Sequence, residues 1–135
     1  MNRHICRAKH YGTGEWVYGY YAECLYYLDD EACGIIIPPN TTFYPHNGLD
    51  SVLIVDHTTI CRYTGLNDKQ GNPIFEGDMI TARYVDDGRL TKGVVNFLNG
   101  CFCVKYDNYN NPAMDMLYEY EISGNVFNNT ELMEE

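Results

Sequence analysis

The sequence predicts a mainly β chain, all-β or α+β with little helix. Three observations carry that expectation. Short runs rich in Val, Ile, Tyr, Trp and Phe recur at close spacing along all 135 residues. Glycine, asparagine and aspartate gather between them in turn-forming groups. One run, Cys101 to Tyr106, alternates cleanly, with Cys101, Cys103 and Lys105 on one face and Phe102, Val104 and Tyr106 on the other.

Taken in order, Glu15 to Tyr21 (EWVYGYY) reads as a strand in which Gly19 marks a bulge or a close backbone approach, and Cys24 to Leu28 as its antiparallel partner. Asp29-Asp30-Glu31 interrupts the apolar pattern. Ala32 to Ile37 is a further short strand closed by Pro38-Pro39, and Asn40 to Gly48 reads as loop. Ser51 to Asp56 and Thr58 to Tyr63 are β-rich and separated by one polar residue, His57, as a bent strand or a tight corner would be. Met79 to Val85 and Lys92 to Leu98 flank the turn signal Asp86-Asp87-Gly88, and Asn99-Gly100 turns the chain into Cys101 to Tyr106. Asp107 to Pro112 is loop. Glu119 to Phe127 is a last strand with a glycine bulge at Gly124, and Asn128 or Asn129 caps a short terminal helix from Thr130 to Glu134. The expected organisation is one domain over residues 1–135. It comprises an N-terminal β-layer (1–60), a part like a small SH3-like barrel (61–127) and a terminal helix or tail (128–135).

Between the two halves lies Tyr63 to Asp78, YTGLNDKQGNPIFEGD. Gly65 follows Thr64 where a strand would end, Asn67-Asp68-Lys69-Gln70-Gly71 has hairpin-turn chemistry, and Gly77 sits between Glu76 and Asp78 ahead of Met79-Ile80. Physics reads two turns joined by a short strand. The motif TGL-x-D-x-x-G-x-x-I-[YF]-EGD resembles the signature of the YopX family, prophage-encoded bacterial proteins without an established biochemical function. Similar features run along nearly the whole chain: Arg7-Ala8, Gly14-Glu15-Trp16-Val17-Tyr18-Gly19-Tyr20, Ile36-Ile37-Pro38, Val55-Asp56, and Ile122-x-Gly124-Asn125-Val126-Phe127-x-Asn129-x-Glu131-Leu132. Where the family pattern has a proline between the last Asn and Glu, this chain has Thr130, which bears on the cap of the terminal helix. The resemblance implies a mainly β fold and a phage or prophage setting. It carries over no catalytic residue, so Tyr63, Gly65, Leu66, Asp68, Gly71, Glu76, Gly77, Asp78, Gly124 and Asn125 are read as holding the fold.

Nine basic against nineteen acidic residues leave a net charge of −10, so phosphate backbones and anionic lipid surfaces repel the chain at long range. Direct nucleic-acid binding would need Arg62, Lys69, Arg83, Arg89, Lys92 and Lys105 to gather on one face. No run reaches the ~18 residues of a membrane span and no apolar leader follows Met1, which points to a reducing cytoplasm. There the six cysteines (Cys6, Cys24, Cys33, Cys61, Cys101, Cys103) stay free and mostly buried, and no cofactor or metal is expected.

Glu76 and Asp78 flank Gly77 as a catalytic carboxylate pair would in a small hydrolase, but the same spacing serves a turn in which the carboxylates accept backbone N–H groups, and that reading is preferred. Cys101 and Cys103 share a strand face within reach of a metal shared with Cys61 or His57, yet the paired C-x₂₋₄-C spacing of structural zinc sites is missing. Four scattered histidines (His4, His10, His46, His57) offer no nucleophile signature, and Asp107-x-Tyr109-x-Asn111 departs from a calcium loop. Thirteen tyrosines exceed what a core of this size needs, and alternation puts some of them on an exposed face. The expectation is therefore a non-enzymatic module binding a protein of host or phage, with self-association left open. An alternative is an acidic mimic of nucleic acid built on the segment Tyr106 to Glu135, which has no Lys or Arg and includes Glu119 and Glu121.

Overall fold

The computed structural model describes residues 4–28, 31–37, 53–106 and 111–128, of which 22–28 and 31–35 are described by backbone alone. These residues are mainly β, in antiparallel sheets, and no helix among them reaches seven residues or is long and apolar enough to cross a membrane. The terminal helix expected from Thr130, the loop Asn40 to Gly48 and most of the loop Asp107 to Pro112 lie outside the described residues. Contacts divide the chain into two compact units, Met1–Tyr63 and Thr64–Glu135.

The first unit contains β1 (Cys6–Lys9), β2 (Trp16–Leu28), β3 (Glu31–Ile37), β4 (Leu53–Asp56) and the start of β5 (Cys61–Asn67), hydrogen-bonded in the order β4-β3-β2-β1-β5. Cys24 to Leu28 corrects the sequence reading: it continues β2 and does not return beside it. Nothing between Tyr21 and Cys24 supplies turn chemistry, so the strand runs on through an irregularity between Ala22 and Tyr26. The return is β3, with Glu31 opposite Leu28 and Ile37 opposite Tyr20. His10 shapes the β1–β2 connection, its Nδ1 accepting the N–H groups of Gly12 at 3.2 Å and Thr13 at 3.3 Å. The expected corner after β4 is a single 3-10 turn, His57–Thr59. Asp56 Oδ1 caps it by accepting Thr58 N at 3.0 Å, and Thr59 Oγ1 accepts Lys9 N at 2.8 Å, tying the corner to β1. Ala8, Ile36 and Val55 are fully buried here, with Cys6, Val17, Tyr21, Leu53 and Ile60 packed on them.

The second unit begins with the end of β5, whose neighbour is β6 (Pro73–Phe75), and continues with β7 (Asp78–Tyr84), β8 (Leu90–Leu98), β9 (Cys101–Lys105) and β10 (Leu117–Asn125). The last four form a sheet in the order β10-β7-β8-β9. Asn99 (φ 52) and Gly100 (φ 83) both take positive φ, the two-residue turn whose twist matches its strands. Ile74, Ile80, Ala82, Val95, Val104, Met114 and Leu117 fill the core. A pairing of β9 with β10, which a closed small barrel would add, is not found among the described residues. The β9 edge instead meets the incoming chain, with Val104 N donating to Pro112 O at 3.0 Å and Cys103 bridging to Ala113. That contact buries Cys103 as well as Val104, so the clean alternation of β9 does not become an alternation of burial.

Candidate functional site

The Tyr63 to Asp78 motif folds as two turns around β6, as its glycines and aspartates dictate. Tyr63 is buried in the first unit, where its N–H donates to Ile5 O at 3.2 Å. In the second unit β5 runs on through Gly65 (φ 86) to Asn67, which corrects the reading that the strand ends at Thr64; Thr64 Oγ1 donates to Ile74 O at 2.8 Å, while Leu66 stays exposed. Asp68 is buried under its own turn. Its carboxylate accepts Asn72 N at 2.8 Å, Gln70 N at 3.0 Å and Asn72 Nδ2 at 3.3 Å, while Gly71 (φ 90) closes the turn onto Asp68 O. Burial pushes the Asp68 carboxyl up, but the hydrogen bonds from Asn72 and Gln70 outweigh it and hold it below the usual carboxylate range. Lys69 N reaches Tyr120 O at 3.0 Å, anchoring the turn to β10.

The second turn seats Gly77. With φ 84, it donates N–H to Val95 O at 2.9 Å and accepts Val126 N at 2.9 Å, joining β8 to the end of β10. Asp78 is 1% exposed and its Oδ2 accepts Phe75 N at 2.8 Å; Glu76 is half-buried beside it. A carboxylate so enclosed is not placed to reach a substrate. Gly124 lies at a register shift of β10, and Asn125 Oδ1 accepts the N–H groups of Phe127 and Asn128, both at 2.9 Å, which turns the chain back.

A β-carbon on Gly77 would meet Phe127 Cε2 at 3.0 Å, whereas one on Gly71 meets nothing within 4 Å. Gly71→Ala should therefore cost about 1 kcal/mol, the left-handed penalty alone, and Gly77→Ala about 2 kcal/mol. Urea denaturation of the two variants checks the difference. Equal midpoints would remove the packing argument.

The other sequence candidates do not converge. Cys61 is buried with its thiol donating to Thr59 O at 3.2 Å. Cys101 is exposed, and burial, with Cys101 beside it, pushes the Cys103 thiol up, away from the thiolate a nucleophile needs. Cys6, Cys61, Cys101 and Cys103 form no disulfide with one another, and no group of three or more His, Cys, Asp or Glu that could hold a metal occurs among the described residues. His10 is engaged in its turn, and His46 lies outside the described residues.

What the second unit does bring together is surface. Val85 (63% exposed), Leu90 (66%), Met116 (54%) and Tyr118 (41%) gather at one end of the four-stranded sheet. Register makes the cluster: Tyr118, Arg83 and Leu90 stand opposite one another across β10, β7 and β8, and Val85 N donates to Met116 O at 3.0 Å. Charge frames it. Arg83 pairs with Glu119 at 3.4 Å and donates Nη1 to Gly88 O at 2.8 Å, and Arg89 pairs with Asp87 at 2.6 Å. Glu119 takes φ 54, unusual for a residue with a β-carbon, where the pairing register of β10 shifts. Of these residues the sequence pointed to Arg83, Arg89 and Glu119 by their charge, and to Tyr118 only as one of thirteen tyrosines. Val85 and Leu90 carried one usable signal, an apolar pair bracketing the turn Asp86 to Arg89.

The basic residues are partly assembled. Leu90, Lys92 and Val94 alternate along β8 opposite Arg83, Thr81 and, on β9, Lys105, so Arg83, Lys92 and Lys105 share one face of the sheet. Lys69 pairs with Glu121 at 3.2 Å, while Lys92 and Lys105 have no ion pair among the described residues.

In comparison with known proteins, the family model described as YopX protein matches residues 14–134. No curated protein matches the chain.

Proposed function

The chain belongs to the YopX family, and from that membership we propose that it is a non-enzymatic module that binds another protein through Val85, Leu90, Met116 and Tyr118. One observation carries the reading. Four exposed apolar side chains, supplied by the ends of β7, β8 and β10 and the turn before β10, stand around Arg83, which is paired with Glu119, and beside the pair Arg89–Asp87. Exposed apolar side chains gathered with tyrosine and arginine match the composition of protein interfaces, where tyrosine and arginine are among the residues that dominate binding energy. The prophage setting that the family resemblance implies suits a module acting on a host or phage protein.

The acidic-mimic reading draws less support. Glu119 and Glu121, the acids it relies on in β10, each lie against a cation of the same unit, Arg83 and Lys69, which lowers the field they present. The hydrolase reading loses its pair to the burial of Asp78.

A photo-crosslinking amino acid placed at Leu90 or Tyr118 should capture one discrete protein, identifiable by mass, that the same probe at exposed Thr58 does not. Leu90→Asp should weaken that capture about tenfold or more, since a charge in an interface centre is left desolvated. A product of twice the chain mass would identify a second copy as the occupant. Equal, diffuse labelling from all three positions would overturn the proposal.

A further inference from the structure

The first unit carries a surface of its own, on the face of its sheet away from the buried Ala8, Ile36 and Val55. Register sets Arg7 opposite Tyr18 and Lys9 opposite Trp16, and Tyr20, opposite Ile37, continues the same face of β2. Cations and rings therefore share one side of the sheet. We propose that this face binds single-stranded nucleic acid, with bases stacked on Tyr18 and Tyr20 and a phosphate on Lys9.

The rings set the class of ligand. Tyr18 is 42% exposed and Tyr20 38%, although both lie inside the long strand β2. Residues two apart on a strand stand about 6.8 Å from each other, twice the roughly 3.4 Å between stacked bases along one nucleic-acid strand. Neighbouring bases that lay one on each ring would part from each other and exchange base–base stacking for base–tyrosine stacking. A single strand does this readily, whereas a duplex would have to give up its pairing.

The cations complement the phosphates. Arg7 Cζ lies 4.5 Å and Lys9 Nζ 5.5 Å from the centroid of the Trp16 ring, so one indole gathers two positive side chains at the end of the tyrosine row. Arg7, 7% exposed, acts as a fixed charge beneath the surface, and half-buried Lys9 is the cation that reaches a phosphate. At physiological salt the screening length is about 8 Å, so these two charges beside the rings count for more than the net −10 of the whole chain. That net charge still opposes phosphate and keeps the expected binding weak. Tyrosine, tryptophan and arginine also mark protein interfaces, but an interface does not call for two cations at the end of a row of rings, as a phosphodiester does.

Titration of the ¹⁵N-labelled full chain with octathymidylate, octauridylate and an abasic phosphodiester of the same length tests the proposal. Either base-bearing strand should shift the amides of Tyr18 and Tyr20 and saturate by about 5 mM, and the tighter of the two identifies DNA or RNA as the source. The abasic strand should bind about tenfold more weakly or worse. Tyr18→Ala and Tyr20→Ala, at exposed positions, should each raise the dissociation constant about fivefold or more, while Tyr18→Phe, which keeps the ring, binds as wild type does. Lys9→Gln should make the fall of log affinity with log salt shallower by about 0.7, the loss of one phosphate contact. The absence of a saturable shift at Tyr18 and Tyr20, an abasic strand that binds as tightly as octathymidylate, alanine variants that titrate as wild type, or an unchanged salt dependence in Lys9→Gln would each overturn it. None of these outcomes depends on Leu90, on Tyr118 or on a protein partner.

Discussion

Asp78→Ala is expected to lower the thermal midpoint by about 10 °C or more, an effect of about 3 kcal/mol. The side chain is 1% exposed, and its Oδ2 accepts the buried N–H of Phe75, itself 1% exposed, at 2.8 Å. Alanine removes an acceptor that Phe75 N cannot replace with water, and it leaves a cavity among fully buried neighbours. Asp78→Asn retains an oxygen for Phe75 and should recover about half of the loss. A carboxylate kept for hydrolysis would behave otherwise: its neutral isostere would fold as well as wild type or better, because active-site carboxylates are commonly held at a cost to stability. Calorimetry of the three proteins decides the matter. An Asp78→Ala midpoint equal to that of wild type would refute a structural role.

The motif was legible because its determinants are local. Gly71 and Gly77 take φ 90 and 84 where the sequence places turn glycines, and Asp68 and Asn125 accept backbone N–H groups within four residues of themselves. The extent of β2 was not. Cys24 to Leu28 has the composition of any half-buried strand, and only its pairing with β3 shows that it prolongs Trp16 to Tyr21. The exposed patch lay further from view. Val85, Leu90, Met116 and Tyr118 span more than thirty positions, and the cross-strand register that sets Tyr118 and Leu90 on either side of Arg83 is a tertiary fact with no trace in local periodicity. The burial of Cys103 is of the same kind, created by the contact of Pro112 and Ala113 with β9. Family resemblance supplied the overall class from nearly the full length of the chain.

Gly19→Ala should be at least as damaging as Asp78→Ala, for a reason that is steric and not polar. Gly19 lies in β2, opposite Cys6 of β1 and next to Tyr20, which pairs with Ile37 of β3. A β-carbon there would run into the carbonyl oxygen of Ile37, with Ile36 Cγ2 at 2.7 Å and Ile37 C at 2.8 Å. Two of those three atoms are backbone, so no rotamer change relieves the contact and β2 must part from β3. The position was read in the sequence as a bulge or a close approach; its regular pairing with Cys6 identifies it as the latter. Because β2 is the middle strand of the order β4-β3-β2-β1-β5, separation there also disturbs the packing of Ile36 on Ala8 and Val55. The expected loss is about 3 kcal/mol or more, against about 1 kcal/mol for Gly71→Ala, where only backbone strain is at stake. Gly93→Ala should act likewise in the second unit, its β-carbon meeting the Lys105 carbonyl carbon at 2.8 Å across the β8–β9 pairing. Amide hydrogen exchange reports each effect where it arises: protection should collapse at Tyr20, Tyr21, Ile36 and Ile37 in the first variant and along Val94 to Asn96 in the second. Wild-type protection at those amides, with an unchanged midpoint, would show that the strands absorb the added carbon and that the close approaches do not require glycine.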